Sequence, residues 1–167
     1  LEAEELLERL EGFFVPRLLA GRKVVLTAGP TFEALDPVRG ITNISSGKMG
    51  YALARACAQA GAEVVLVSGP VSLPVPADVK RTSVTSALEM RDAVFAALHG
   101  ADVFIGVAAV ADYRPLASAE HKLKKTADTL NIALTPNPDI LAEVAARADA
   151  PFCVGFAAES RDLDAYA

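Results

Sequence analysis

Two continuous apolar runs, 23–28 (KVVLTA) and 63–68 (EVVLVS), are each closed by a Gly-Pro pair, Gly29-Pro30 and Gly69-Pro70. Uninterrupted branched aliphatics ending so abruptly predict strands buried on both faces, as in a parallel sheet. Between them, residues 46–60 carry small residues at the start, Ala52, Leu53, Ala56 and Cys57 at helical spacing, and Gly61 as a stop. A strand, a helix and a strand joined by a crossover of this length predict a parallel βαβ unit.

The alternation continues. A third strand is predicted over 79–84 and a helix over 86–99, with Ser86 as N-cap and Glu89 at the capping-box position. Residues 102–111 (DVFIGVAAVA) form the most hydrophobic run and are expected to be the central strand. A polar, basic stretch over 112–128 precedes a weaker strand at 129–134, a helix at 138–147, a strand at 152–158 and the start of another helix from Ser160. Residues 29–45 keep no period and read as a long loop. Leu6, Leu7 and Leu10, set among glutamates and limited by Pro16, mark 1–14 as an amphipathic lead-in outside the sheet. The fold class expected is α/β: an open, doubly wound, mostly parallel Rossmann-like sheet with helices on both faces.

Composition narrows what such a sheet is for. At 167 residues the chain suits one domain, and with 52% hydrophobic residues it is too apolar for disorder. A net charge of -5 argues against general nucleic-acid binding, because affinity for a phosphate backbone requires a basic surface. Any anionic ligand must therefore meet a local positive site. Cys57 and Cys153 lie in apolar surroundings without CxxC spacing and are expected to be buried thiols in a reducing compartment. Two histidines, His99 and His121, exclude a His-rich metal site. No apolar stretch is long enough to span a membrane and no signal-peptide pattern opens the chain, so the expected location is cytoplasmic.

In a doubly wound sheet, ligands bind beyond the carboxyl ends of the strands, where the strand order reverses. The segments placed there hold the candidate chemistry. Ser45-Ser46-Gly47-Lys48-Met49-Gly50 runs from a loop into a helix, where free amides and the helix dipole make an anion seat. Its plainer alternative is a serine N-cap with glycines for close packing. Neither a Walker A loop nor a GxGxxG fingerprint is present, since Met49 follows Gly47-Lys48 and the first strand is followed by GPTFEA. Arg39 and Lys48 bring charge toward the seat, or are solvated surface side chains. Asn43 is either a hydrogen-bonding group there or a left-handed turn residue. Ala108, Ala109 and Ala111 would let a flat base approach the backbone, or are core filler. Asp112 either meets a ribose or a cation, or forms a turn. Lys122, Lys124 and Lys125 concentrate like charge in a loop, which suits a triphosphate partner as well as a solvated face. Asp139 opens a helix, and Phe156 follows the last strand.

Taken in order over 23–159, TAGPT, DPVR, Asn43, SSGKMG, AAVADYRP, KLKK, NPDIL and GFAAE resemble the phosphopantothenoylcysteine synthetase family, the synthetase half of bacterial bifunctional coenzyme A biosynthesis proteins. The resemblance implies a ligase in which CTP, with Mg2+, activates the carboxylate of 4′-phosphopantothenate to an acyl-cytidylate, and cysteine then forms the amide. It implies that Asn43 holds the intermediate and Lys122 assists activation, with Arg39 in the phosphopantothenate site across a homodimer interface. Ser45, Ser46, Gly47, Lys48 and Gly50 would cradle the triphosphate, with Lys122 and Lys125 on the flap. Ala108 would meet the cytosine, Phe156 the ribose or base, and Asp112 and Asp139 the cation. Residues 1–21 would be the connector from a fused decarboxylase half, which alone would carry FMN, and 22–167 a synthetase domain incomplete at its C-terminus. The rival readings are an NAD(P)-dependent oxidoreductase, which lacks its glycine fingerprint here, and a noncatalytic nucleotide-binding module, which would have no use for a basic flap.

Overall fold

The computed structural model describes residues 2–125 and 129–157. In chain order the elements are α1 (Ala3–Phe13), β1 (Lys23–Ala28), β2 (Phe32–Ala34), β3 (Gly40–Thr42), α2 (Lys48–Gln59), β4 (Glu63–Ser68), β5 (Val79–Ser83), α3 (Ala87–Ala97), β6 (Val103–Gly106), β7 (Tyr113–Pro115), β8 (Leu134–Pro136), α4 (Ile140–Ala145) and β9 (Phe152–Gly155). Five of the strands form a wholly parallel sheet in the order β5-β4-β1-β6-β9.

Alternation along β1 divides the core. Val24, Leu26 and Ala28 point to the face covered by α2, where they meet Tyr51 and Ala54, while Val25 points to the face covered by α3 and α4, where Met90, Val94, Leu98, Ile140 and Val144 gather. β1 and β4 run in register, Val24 beside Val64 and Leu26 beside Leu66, and all four side chains are buried. The apolar runs of both strands end where expected.

Five expectations are corrected. The central strand is β1, not 102–111: β6 lies beside β1 and stops at Gly106. The chain then turns over the end of β1, because Thr27 Oγ1 accepts from the amides of both Val107 and Ala108 at 3.1 Å. The buried face of α2 is Gly50, Tyr51 and Ala54, whereas Ala52 and Ala56 are exposed and Leu53 and Cys57 half-buried. In so alanine-rich a helix the apolar stripe has no unique phase, and packing of Gly50 on β1 decides it. Residues 29–45 contain the antiparallel hairpin β2–β3, and the weaker strand begins only at Leu134, as β8 paired with β7. Both hairpins have strands too short for a period to show. Cys57 and Cys153 are half-buried rather than buried, and desolvation pushes both thiols up.

Caps fix the helix starts. Ser86 Oγ accepts from the Glu89 amide at 3.2 Å, and Glu89 Oε2 accepts from the Thr85 and Ser86 amides, so the predicted capping box is present. The buried carboxylate of Glu33, on β2, accepts from the Ala87 amide at 2.9 Å and so fastens the β2–β3 hairpin to the first turn of α3. α4 is shorter than 138–147 and is capped by Asp139. α1 lies outside the sheet against α2, held by the Glu8–Arg55 pair at 2.7 Å. The helix expected from Ser160 lies outside the described residues.

Candidate active site

After β1 the chain crosses to the α2 face, and after β6 to the α4 face. The crevice between the ends of these two strands is the point where the strand order reverses, and it holds two adjoining cavities of about 330 and 840 Å³ that share Ala108, Ala109 and Phe156.

The smaller cavity is lined by the segment in which the sequence reading expects an anion seat. Gly47 is the N-cap of α2 at φ 73, a left-handed conformation that favours glycine, and a Cβ there would stand 3.0 Å from Val71 Cγ1 and 3.3 Å from Gly29 Cα. The end of β1 and the start of α2 are thereby brought backbone to backbone. The first intrahelical bond runs from the Tyr51 amide to the Gly47 carbonyl, so the Met49 and Gly50 amides precede it without an intrahelical acceptor. Ser45 Oγ and Ser46 Oγ accept from the Gly47 and Lys48 amides, each at a long 3.4 Å. An anion in the cavity would face these amides, both hydroxyls and the exposed Lys48 at the positive end of α2.

The larger cavity is walled by residues 108–112 and by the start of α4. Side chains clamp that wall one peptide after another. Asn43 Nδ2 donates to the carbonyls of Ala109 and Val110 at 3.3 and 3.1 Å, Thr31 Oγ1 accepts from the Ala111 amide at 3.0 Å, and Asn137 Nδ2 donates to the Ala111 carbonyl at 2.7 Å. Asn43 is thus oriented with its Oδ1 uncommitted among the described residues. Asp112 is exposed at the same cavity, and Asp139 lines it with Oδ1 spent on the Ala142 amide. Phe156, half exposed, stands between the two cavities.

Of the residues singled out in the sequence, Asn43, Ser45, Ser46, Gly47, Lys48, Gly50, Ala108, Asp112, Asp139 and Phe156 line one or both cavities. Arg39, Lys122 and Lys125 line neither. Arg39 instead grips Asp36, donating from Nε at 3.0 Å and from Nη2 at 2.6 Å. That guanidinium first, then the amides of Val38, Leu123 and Arg39, hold the Asp36 carboxyl well below the usual carboxylate range, against the opposing effect of its burial. Lys122 and Lys125 are exposed. Sequence reasoning missed Thr27, Thr31 and Asp36, all buried and all holding site backbone. The available signal was a threonine inside an otherwise aliphatic strand and a carboxylate beside an arginine in a Pro-containing turn.

A family model for the DNA/pantothenate metabolism flavoprotein C-terminal domain matches residues 19–167. Among curated relatives, the coenzyme A biosynthesis bifunctional protein CoaBC of Vibrio cholerae is 57% identical over 170 residues, covering 100% of this chain and 43% of that protein. The protein of the same name from Escherichia coli is 56% identical over 148 residues, covering 86% of this chain and 36% of its own length. The chain therefore spans less than half the length of these relatives. A crystal structure of the C-terminal domain of a CoaBC protein superposes with a TM-score of 0.79 at 43% identity, covering 90% of this chain and 71% of that one.

Proposed function

The chain belongs to the DNA/pantothenate metabolism flavoprotein C-terminal domain family, and on that footing we propose that it is the phosphopantothenate–cysteine ligase part of a coenzyme A biosynthesis protein, with CTP as the activating nucleotide. The observation that carries this reading is the pair of joined cavities at the strand-order reversal, one an amide seat for phosphates and the other presenting Asn43.

In the first half-reaction a carboxylate oxygen of 4′-phosphopantothenate attacks the α-phosphorus of CTP. A new P–O bond forms, the α–β anhydride bond breaks and pyrophosphate leaves. In the second, the amine of cysteine attacks the acyl carbon, the C–N bond forms, the bond to the cytidylate oxygen breaks and CMP departs as the amine loses a proton. The first half brings two anions together and the second must align an uncharged amine with the acyl carbon, so charge neutralisation and orientation supply most of the rate. The Gly47–Gly50 amides with Ser45, Ser46 and Lys48 take the triphosphate. Ala108 and Phe156 bracket base and ribose. Asn43, fixed by its two carbonyl contacts, aims Oδ1 at the acyl-nucleotide and its incoming amine. Lys122 and Lys125 add charge from the KLKK flap, and Arg39 serves the pantothenate phosphate.

Asp112 and Asp139 supply carboxylate oxygens on one cavity, a donor set that fits Mg2+ held jointly with substrate phosphates. These two residues would hold the ion, which when bound would neutralise phosphate charge. We also assign 1–21 as a connector and 22–167 as the synthetase domain, acting as a homodimer in the cytoplasm. The FMN-dependent decarboxylation is assigned to the part of the relatives' length that this chain does not span. The exposed Val38, Ile44, Tyr113, Leu116 and Leu134 support an apolar subunit contact. Among the described residues no helix is long and apolar enough to cross a membrane.

Radiolabelled pyrophosphate release tests the reading. The intact protein carrying this domain should release pyrophosphate from CTP only with Mg2+ and phosphopantothenate present, and release CMP on adding cysteine. Absence of nucleotide turnover would remove the ligase assignment, whereas preference for ATP would remove CTP alone.

A further inference from the structure

Asp36 stands in the turn between β2 and β3, and its side chain is wholly buried. One oxygen, Oδ1, accepts from the amides of Val38 and Arg39, each at 2.9 Å, closing the turn on itself. The other, Oδ2, receives Nε and Nη2 of Arg39 and also reaches across the molecule to the Leu123 amide at 3.0 Å. Arg39 Nη2 in turn donates to the Leu123 carbonyl at 2.7 Å. Leu123 is the second residue of KLKK, so both backbone groups of one residue in the basic segment are held by one ion pair. The Ala119 amide, donating to the Leu35 carbonyl at 2.9 Å, makes a second tie between the same two stretches.

The lysines on either side are exposed and free to swing, but the backbone that carries them is not. The hairpin that grips it leads through Gly40–Thr42 directly into Asn43, Ser45 and Ser46. Lys122 and Lys124 are therefore tied through the hairpin to the segment of the proposed anion seat, although neither lines it. A charge-assisted grip of this kind is stronger than a neutral one, and its carboxylate is buried although the Arg39 side chain is partly exposed.

We propose that Asp36 is a positioning residue: together with Arg39 it latches Leu123 and thereby sets the basic segment in register with the phosphate seat for the activation step. The catalytic consequence rests on the ligase reading above; the latch itself does not. Asp36 is ionised throughout neutral pH, and Arg39 beside it carries that ionisation into more acidic solution.

Two measurements on the intact protein test this. Limited trypsin digestion at bonds after Lys122 and Lys124 reports the latch, since a protease needs several residues of extended, released backbone. Asp36→Asn should raise cleavage there about tenfold or more, while cleavage at Lys80 and Arg81, which reports opening of the sheet, rises far less. Single-turnover pyrophosphate release reports the consequence. The same variant should slow it about tenfold or more, with nucleotide Kd changed less than about twofold, as expected when a charged group is misplaced rather than removed. Should Asp36→Asn fail to fold, Leu123→Pro deletes the donor from the flap side; because trypsin does not cut a Lys-Pro bond, its cleavage is read after Lys124 alone, where it should rise, with release slowed as before. Unchanged cleavage at Lys124 in either folded variant overturns the latch. Enhanced cleavage with an unchanged release rate overturns its role in activation. If the unsubstituted protein turns over no nucleotide, the ligase reading fails and the catalytic role with it, while the cleavage result still decides the latch.

Discussion

Gly50 lies so close to Ala28 that a Cβ placed on it would stand 2.5 Å from the alanine Cβ, nearer than real carbon atoms approach. Through this contact the first turn of α2 rests on the end of β1, and the amides of the anion seat are held over the sheet. Gly50→Ala must push the helix start outward. We expect a loss of about 1–3 kcal/mol in denaturant unfolding, typical of overpacking, with a weaker nucleotide Kd by calorimetry. A variant of unchanged affinity would show that the amides need no such support.

Thr27 is the hinge on which the chain leaves β6. Thr27→Val keeps shape and burial but strips the acceptor from the Val107 and Ala108 amides. An unsatisfied donor costs about 1–3 kcal/mol when buried, and since these two are half-buried the expected loss is at the lower end, measured by urea titration. Because this turn carries the ledge shared by both cavities, nucleotide affinity should fall in parallel.

Asn43→Asp exchanges two donated hydrogen bonds for a carboxylate facing the carbonyls of Ala109 and Val110. Like polarity then turns the side chain away. Activation draws on the phosphate seat and should continue, while the amine step stalls. Rapid quench and mass spectrometry should show the acyl-cytidylate accumulating. By contrast Lys122→Gln should slow the formation of that intermediate, and unchanged single-turnover rates in both variants would refute these two roles.

Asp36 makes a prediction about pH. Its folded-state carboxyl is held below the unfolded one, chiefly by Arg39. Its stabilisation is therefore fully present above the unfolded pKa of about 3.9 and is lost as pH falls toward the folded value. The stability difference between wild type and Asp36→Asn, read from urea melts, should be flat from neutral pH down to about pH 5 and shrink in more acidic solution. A difference that already shrinks nearer neutrality would point to another group.

Ser86→Ala removes the acceptor for the Glu89 amide at the start of α3. A lost N-cap costs about 1 kcal/mol, to be seen in the unfolding midpoint. Activity measured at saturating nucleotide should be untouched, since neither Ser86 nor Glu89 lines either cavity.

These residues also show where sequence reading stops. β1 and β4 were legible to the residue because burial on both faces leaves an uninterrupted aliphatic run, and the α3 capping box because it is local in sequence. The extent of β6 was not legible. Its apolar run continues through Val107 to Ala111, but those residues line a cavity, and only the distant Thr27 hydroxyl reveals that the strand has ended. The seat residues could be placed because a loop running into a helix has a defined set of free amides. Arg39 could not, because its partner choice depends on Asp36 and on Leu123, 84 positions away. Long-range polar clamps leave no period in a sequence.

Glu33 carries one further consequence. Its carboxylate fastens a hairpin of two three-residue strands to α3, whose Met90 and Val94 are sunk in the core beneath the sheet. So short a hairpin has little cohesion of its own. Its lifetime is lent to it by that helix, and amide exchange in Asp36, Arg39 and Asn43 should follow the opening of α3. A cavity cut at Val94, on the opposite side of the sheet from the proposed phosphate seat, would then surface as looseness among residues to which substrate handling is proposed.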